Sequence, residues 1–476
     1  MGIRKERKRA ADAYLKGLVE ERGVPKGAVM MAERHGDVYV GLSDKESATE
    51  ASLFRICSLT KAIVSVAALA YVQDGELDLR SPASELVPEL GQIPGVVEKC
   101  ESAAASGCKS ADGQPSTLHR TVPLARPITA WHLLTHTAGF TYGFFGPQHF
   151  NSSHNDPRTH IVASHYYPLV GVYDGCQSSG VGERAVSPVD NVANLAKAPL
   201  VSQPGERMSY GLSTDVLGVL LQRLEQRIRR RADPMAALPS LEEVLTARVF
   251  APLGMNETFF HVDAKRAIPL APLHHLPGRN ARSIACDDAN AAATPEYCRS
   301  HARAVRVEPG DDAPRMQSGG CGLLSTPRDY LKFVRFLADA TAPEARRAHG
   351  EAAPRSFAGD RPPPASLVAM RRALLVDRLD AADWPFRNVG ATNRGFGWNM
   401  VGHLSRNART HDADEMLVAP DSQLGKGLHG LLYFVDGTSG LAAVFFVQCH
   451  GFSKACFEVN QHVGATFPAV AASLSA

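Results

Sequence analysis

The sequence lacks the features that mark membrane-spanning, nucleic-acid-binding and exported proteins. Its longest apolar runs, residues 62–72 and 441–447, are far shorter than the ~20 residues of a membrane-spanning helix. Charge of one sign is not in excess, because the formal net charge is +2, and this gives nucleic acid or a membrane surface little to bind. The basic N-terminus lacks the apolar segment and cleavage site of a secretory signal. These absences predict a cytoplasmic protein with neither a nucleic-acid nor a membrane partner.

The cysteines lack a recognisable pattern. There are nine of them, their spacing is irregular, and no Cys-x-x-Cys pair occurs. Such a set argues against a disulfide scaffold or a zinc site, so we expect a reducing compartment, no metal and no cofactor. Under oxidising conditions the pairs to consider are Cys100 with Cys108 and Cys286 with Cys298, which each lie in one loop-like segment.

Length and composition predict a large, ordinary globular fold. The 476 residues, 44% of them hydrophobic, can bury a sizeable core divided into two or more subdomains. Short apolar runs around a Gly-containing turn near residues 27–40, and again at 431–447, predict β-hairpins close to both ends of the chain. The middle of the chain predicts helices, at residues 129–137, 214–231 and 241–253.

This order predicts an α/β (α+β) fold. Strands from both ends of the chain form an antiparallel sheet flanked by helices, and a mostly helical domain is inserted between them. We assign residues 1–80 and 311–476 to the sheet domain and residues 81–310 to the helical domain. Stretches at 91–127 and 143–187, rich in Gly, Ser and other polar residues, are predicted to be loop insertions bordering a cleft.

The segment around Ser58 and Lys61 is the most informative for chemistry. If a helix begins at Ser58, the two side chains are three residues apart and share one face. A serine hydroxyl needs a nearby base to act as a nucleophile, and a lysine near the positive end of a helix is a suitable base. The alternative is that Ser58 merely caps the helix, but a cap prefers Glu or Gln, not Lys, three residues later.

Two further segments could complete such a site. Tyr210 immediately precedes a predicted helix, and a phenol beside a lysine ammonium is able to relay protons between Ser58 and a leaving group. Glycines at residues 425–430 precede a strand, where a backbone N–H together with that of Ser58 could form an oxyanion hole. We assign Gly427, Leu428 and His429 to substrate binding and the oxyanion hole. A half-buried loop tyrosine and a flexible glycine loop are the alternatives.

Seven segments in order resemble the class C β-lactamase-related serine hydrolases, which include lactamases, D-aminopeptidases, carboxylesterases and transesterases. They are FRICSLTKAIVSVAALAYVQDGELDLRSPASELVPEL, ITAWHLLTHTAGF, QPGERMSYGLSTDVLG, ARVFAPLGMNETFFHV, SGGCGLLSTPRDYLKFVRFL, FGWNM and GLHGLLYFVDGTSGLAAVFFVQ. The resemblance implies the serine β-lactamase fold, an acylated Ser58, and Lys61 and Tyr210 sharing the base and acid roles. It also implies a small-molecule acyl substrate.

Two departures from the lactamase pattern matter, and the first resembles the carboxylesterase and transesterase branch. Lactamases of this family place Asn two residues after the tyrosine, whereas Leu212 stands here and has no amide to hold a lactam side chain. Their Lys-Thr-Gly motif is replaced by Gly425-Lys426-Gly427. The resemblance therefore implies a carboxylesterase or acyltransferase. Activity on lactams or D-peptides, and a non-catalytic binding protein that keeps the fold, are the alternatives; the oligomeric state stays open.

Overall fold

The computed structural model describes residues 3–100, 109–110, 118–142, 187–262, 268–277, 283–290, 292–294, 316–341, 396–398, 403–405, 422–436, 439–450 and 454–474. In chain order the strands are β1 (Val29–Arg34), β2 (Asp37–Leu42), β3 (Phe54–Arg55), β4 (Val96–Lys99), β5 (Lys109–Ser110), β6 (Leu118–Val122), β7 (His274–His275), β8 (Ile284–Ala285), β9 (Leu324–Ser325), β10 (Phe396–Trp398), β11 (His403–Ser405), β12 (Gln423–Gly427), β13 (Leu431–Val435) and β14 (Ala442–Phe446).

The helices of the described residues lie mainly between the N-terminal and C-terminal strands. They are α1 (Lys5–Arg22), α2 (Thr60–Gln73), α3 (Ala130–Leu134), α4 (Pro188–Leu195), α5 (Ser213–Arg229), α6 (Leu241–Leu245), α7 (Ala251–Leu253), α8 (Pro327–Thr341) and α9 (Lys454–Ser473). A π-helical turn, Thr246–Phe250, joins α6 to α7, so residues 241–253 form one continuous helical segment, as the sequence predicts.

The largest sheet of the described residues has seven antiparallel strands in the order β10-β11-β12-β13-β14-β1-β2. Strands from both ends of the chain are therefore neighbours, because β1 pairs with β14 along five residue pairs. The β1–β2 hairpin turns at His35 and Gly36, with φ values of 51° and 79°. Positive φ at both central residues suits the right-handed twist of a two-residue hairpin. The predicted antiparallel sheet from both termini is confirmed.

Side chains alternate between the two faces of this sheet, as the two-residue period of a strand requires. Met30 and Phe434 lie on the face covered by α1 and α9. Val29 and Tyr433 lie on the opposite face, which α8 covers and which joins the core around α2. Each face buries an apolar layer, so removal of apolar surface from water holds both helical layers against the sheet.

Helix α2 crosses the centre of the molecule. Its residues 60–71 are all buried, and it packs against α5, α6 and the π-helical turn Thr246–Phe250. Helix α5 buries Val216, Leu217 and Leu220 and also packs against α3 and α4. A helix buried on nearly every side is a fixed platform, so α2 holds the residues at its N-terminal end rigidly.

The prediction that residues 91–127 form a loop is wrong for half of the part described. A three-stranded sheet in the order β4-β6-β5 occupies it, with Val97 opposite Thr121. The backbone N–H of Val97 also donates to Leu200 O at 2.9 Å, which ties this sheet to the chain after α4. Strands of two to five residues separated by polar stretches give little periodicity, which explains the miss. Residues 143–186 lie outside the described residues.

The expectation of unpaired cysteines is also wrong. Cys449 and Cys456 form a disulfide with Cα atoms 5.6 Å apart. Cys100 and Cys286 are disulfide-bonded as well, while Cys108 and Cys298 lie outside the described residues. Cys57 and Cys321 are buried thiols outside these disulfides. Irregular spacing hides pairs that close short loops, because such pairs follow no shared motif.

No helix in the described part of the chain has the length and apolar character needed to cross a bilayer. The proposed division at residues 80/81 and 310/311 remains a prediction, and the second boundary falls in a segment that is not described.

Candidate active site

Ser58 lies in a tight turn at the start of the central helix. The sequence predicts a helix beginning at Ser58; instead Cys57–Leu59 is a 3-10 turn and α2 begins at Thr60. Cys57 has a φ of 48°, a left-handed conformation that costs a non-glycine residue energy and is often found at functional sites. Neither helical segment has a side-chain cap, so the alternative role of Ser58 as a helix cap is wrong. Ser58 is partly exposed between two buried neighbours.

Lys61 is buried and donates three hydrogen bonds. Its Nζ lies 3.3 Å from Ser58 Oγ, 2.8 Å from Tyr142 Oη and 2.7 Å from Gly320 O. An ammonium has three N–H donors, so these acceptors match the full donor capacity of a protonated Lys61. Ser58 and Lys61 are therefore brought together as the sequence predicts.

Tyr210 approaches Lys61 through its ring. The ring centroid lies 4.8 Å from Lys61 Nζ, within the range of a cation–π contact. Tyr142 lies on the other side, with its ring centroid 5.4 Å from Nζ and 5.6 Å from that of Tyr210 in an edge-on arrangement. Two tyrosines distant in sequence thus flank the Lys61 ammonium. No sequence motif singled out Tyr142, although it lies two residues after the segment HLLTHTAGF.

The two tyrosines meet because their chain segments touch closely. A Cβ on Gly211 would lie 2.9 Å from Phe140 O, so only glycine allows this approach. The N–H of Ser209 donates to His136 O at 2.7 Å, and the buried His136 ring lies 4.9 Å from the Tyr210 ring. These contacts fix the position of Tyr210.

A buried carboxylate supports the third hydrogen bond of Lys61. Asp215, on α5, accepts hydrogen bonds from Ser318 Oγ at 2.5 Å and from Gly320 N at 3.2 Å. Asp215 is 3% exposed, and a Cβ on Gly320 would collide with its carboxylate. Asp215 therefore orients the Gly320 peptide whose carbonyl accepts from Lys61. Asp215 and Gly320 lie in quoted family segments, but no local pattern in the sequence shows that they touch.

The residues predicted for the oxyanion hole lie at the end of β12 and in the turn that follows it. Gly427 ends the strand, and a Cβ there would lie 2.7 Å from Ile56 O, two residues before Ser58. Leu428 is partly exposed, whereas His429 is fully buried and its ring lies 5.4 Å from that of His450. β12 thus packs against the turn that holds Ser58, while the His429 side chain is buried in the core.

Lys426 points to the other side of the sheet. It shares the face of Leu424, in the core beneath α1 and α9, and its Nζ lies 3.1 Å from the position of a Cβ on Gly464 of α9. Burial lowers the pKa of Lys426 to about 8. The residue that faces the Ser58 side is Gly425, where the Tyr433 ring occupies the space of a side chain. Side chains alternate between the two faces of β12, so Lys426 cannot point toward Ser58 as the lysine of the lactamase motif would.

His132 and His136 have the spacing of a metal-ligand pair but separate roles. His132 Nδ1 accepts from the N–H of Thr129 and completes a capping box at the start of α3. Burial, and then the nearby Arg126, lower the pKa of His132. No group of metal-binding side chains occurs among the residues described above.

Comparison with known proteins agrees with this geometry. The family model described as Beta-lactamase matches residues 11–455. The chain belongs to the Beta-lactamase family. It is 28% identical to esterase EstB of Burkholderia gladioli over 446 residues, 92% of this chain and 89% of that protein. It is 30% identical to acyltransferase calJ of Penicillium decumbens, over 60% of this chain and 52% of that protein.

An uncharacterised protein of Mycobacterium tuberculosis is also 30% identical, and the match spans about half of its length, 54%. Among solved structures, the unliganded simvastatin synthase LovD of Aspergillus terreus superposes with a TM-score of 0.61 at 20% identity, covering 98% of both chains. The hydrolase EstCE1 superposes with a TM-score of 0.60 at 19% identity, covering 97% of this chain and 98% of that chain. The predicted serine β-lactamase-type fold is confirmed.

Proposed function

We propose that the chain is a serine esterase or acyltransferase that works through an acyl-Ser58 intermediate. The observation that carries this proposal is the contact of Lys61 Nζ with Ser58 Oγ at 3.3 Å, with the Tyr210 ring 4.8 Å from the same nitrogen. The nucleophile and the base are thus in contact, and the ring of the second proton carrier lies beside the base.

The first half-reaction acylates Ser58. The Ser58 Oγ attacks the ester carbonyl, and the carbonyl π electrons move onto oxygen. The Ser58 proton passes to the Lys61–Tyr210 pair, which must enter this step one proton short of an ammonium with a phenol, as amine and phenol or as ammonium and phenolate. Backbone N–H groups of Ser58 and Leu428 stabilise the resulting oxyanion. When the intermediate collapses, the C–O bond of the leaving alcohol breaks and the alcohol takes up the proton.

The second half-reaction regenerates the enzyme. A water molecule or an acceptor alcohol loses its proton to the same pair and attacks the acyl-Ser58 carbonyl. Collapse of the second tetrahedral intermediate releases an acid or a new ester and returns the proton to Ser58 Oγ. Hydrolysis and acyl transfer therefore differ only in the acceptor, and the relatives EstB and calJ carry the names of an esterase and an acyltransferase.

Ester substrates are favoured over lactams and D-peptides. Leu212 is 2% exposed and belongs to the main apolar core, so no amide side chain from this position can bind a lactam substituent. Lys426 lies on the opposite face of the sheet, so β12 offers no cation to a substrate carboxylate. Both groups that the lactamase motifs place in the cleft are absent here.

A fluorophosphonate probe followed by an ester panel tests the proposal. We expect stoichiometric labelling of Ser58, turnover of a short-chain p-nitrophenyl ester, and an acyl adduct visible by intact-mass spectrometry. Fast turnover of a chromogenic cephalosporin without ester turnover would favour the lactamase alternative. Failure of the wild-type protein to label would favour a binding protein that keeps the fold.

The compartment is a separate proposal. A cytoplasmic location was predicted from the sequence, but the disulfide-bonded Cys100, Cys286 and Cys449–Cys456 favour an oxidising environment. Thiol counting by mass spectrometry on protein purified without reductant distinguishes them. Six or more blocked cysteines support the oxidising compartment, and nine free thiols support the cytoplasm.

A further inference from the structure

The turn after β12 is anchored at three consecutive carbonyl groups. Gly427 O accepts from the N–H of Gly430 at 3.1 Å, closing a four-residue turn. Leu428 O accepts from Asn460 Nδ2 at 3.0 Å, and His429 O accepts from the N–H of Cys449 at 2.9 Å. The first bond lies within the turn, whereas the other two come from outside it.

Asn460 belongs to α9, which packs on the face of the sheet away from α2 and α8. Its side chain reaches past the end of β13 and fits against Gly430, where a Cβ would collide with the Asn460 amide oxygen and with Val447. Gly430 has a φ of 91°, which glycine adopts at no steric cost. The space beside Gly430 is therefore shaped to admit Asn460.

Asn460 donates to the carbonyl of the central peptide of the turn, whose orientation differs most among turn types. In a four-residue turn the central peptide, here between Leu428 and His429, is the one whose orientation distinguishes the common turn types. Its rotation changes ψ of Leu428 and φ of His429, and so changes the shape of the whole turn. A donor on Leu428 O holds this peptide in one orientation, and thereby holds the neighbouring Leu428 N–H.

A covalent link joins the two outside anchors. Cys449 supplies the donor to His429 O, and its disulfide partner, Cys456, lies one helical turn before Asn460 on α9. The position of Asn460 is thus tied to the position of Cys449, so the two anchors cannot easily drift apart.

We infer that Asn460 is a positioning residue that holds the Leu428 N–H in place for the developing oxyanion. This inference rests on the proposed acyl-Ser58 mechanism. Asn460 acts through the turn and contacts neither Ser58 nor its acyl group. Because an oxyanion forms only in the tetrahedral intermediates, the contribution of Asn460 is to the transition state and not to the binding of the ester.

The test compares Asn460→Leu with Thr466→Val on the same helix. Thr466 hydrogen-bonds to Tyr14 Oη of α1 at 2.8 Å and is remote from the turn. We expect Asn460→Leu to lower kcat about tenfold with KM within about twofold, less than the loss of a direct oxyanion donor. Its affinity for an aryl boronic acid, which forms a tetrahedral adduct, should fall in proportion. Thr466→Val should keep the wild-type kcat and affinity for the boronic acid and lose only thermal stability.

A second variant guards against misfolding of the first. Asn460→Asp has the same shape, but its carboxylate cannot donate to Leu428 O, whereas the protonated acid can. We expect its kcat relative to wild type to rise as the pH falls through the titration of this acid, which a purely structural role would not produce. The inference fails if both variants keep wild-type kcat while Ser58 still labels with fluorophosphonate. If wild-type Ser58 never labels, the proposed function itself fails.

Discussion

Ser58 is bordered by two regions that are built differently. On one side Lys61 contacts the proposed nucleophile and is itself contacted by Tyr142 and Tyr210. On the other side the turn at residues 427–430 presents backbone groups. The first region depends on residue identity, because only particular side chains carry and move protons. The second depends on conformation, because every residue except proline has a backbone N–H. Substitutions should therefore damage the first region directly and the second only through what holds its shape.

The largest effect is expected from Ser58→Ala. Loss of the hydroxyl removes the acyl intermediate, so kcat/KM for a p-nitrophenyl ester should fall by about 10⁴-fold or more. Fluorophosphonate labelling should disappear, while the melting temperature stays within a few degrees. Residual labelling of the variant would mean that another residue, such as Cys57, is the nucleophile. The two regions would then not be the two sides of the reacting group.

Substitution of each tyrosine in turn distinguishes proton transfer from hydrogen bonding to Lys61. Tyr210→Phe removes a proton carrier and should lower kcat/KM by about 10²–10³-fold. Tyr142→Phe keeps the ring but removes the hydroxyl that accepts from Lys61 Nζ at 2.8 Å. We therefore expect kcat/KM to fall about tenfold. Measurement of both variants over pH 5–10 completes the test. A reversed order of losses would assign the relay to Tyr142.

Asp215→Asn tests whether the network beneath Lys61 matters for catalysis. Asparagine can keep the one oxygen that accepts from both Ser318 Oγ and Gly320 N but loses its negative charge. Both bonds should weaken, so the Gly320 carbonyl should be held less firmly toward Lys61. We expect kcat/KM to fall about tenfold and the free energy of unfolding to fall by about 1–3 kcal/mol. Asp233→Asn, an exposed change at the end of α5, is the matched control. Equal activity of the two variants would limit Asp215 to a structural role.

The sequence predicted the side-chain region better than the backbone region. Ser58, Lys61 and Tyr210 lie in segments whose residue types have a chemical reason to be there, and the hairpins at both ends fixed the sheet that frames them. Tyr142, Asp215 and Gly320 were not assigned because their importance comes from contacts between segments roughly 80 to 260 residues apart. Single-sequence patterns report local periodicity, not such contacts.

In the backbone region the close approach of the two chains was predictable from the sequence, but the register of the strand was not. A glycine-rich stretch predicts close approach of two chains, and the contact of Gly427 with Ile56 O agrees with it. The side on which Lys426 lies could not be predicted, because the register of β12 decides it and a shift of one residue would turn Lys426 toward Ser58. The pairing of Lys426 with Leu432 and of Gly427 with Leu431 fixes that register.

Lys426→Met gives the smallest expected effect on activity and the sharpest test of this register. Because burial lowers the pKa of Lys426 from its ordinary value to about 8, the folded state binds the proton less tightly than the unfolded chain. This cost is present in full below pH 8, declines as the pH rises and is gone above the ordinary lysine value of about 10.5. Because Lys426 is partly exposed, solvent reduces this cost, and the variant should be more stable by roughly 1–2 kcal/mol at pH 7, with the gain lost near pH 11. Urea unfolding at both pH values measures it, and kcat/KM should stay within about twofold. A large loss of ester turnover would place Lys426 beside Ser58 and contradict the register.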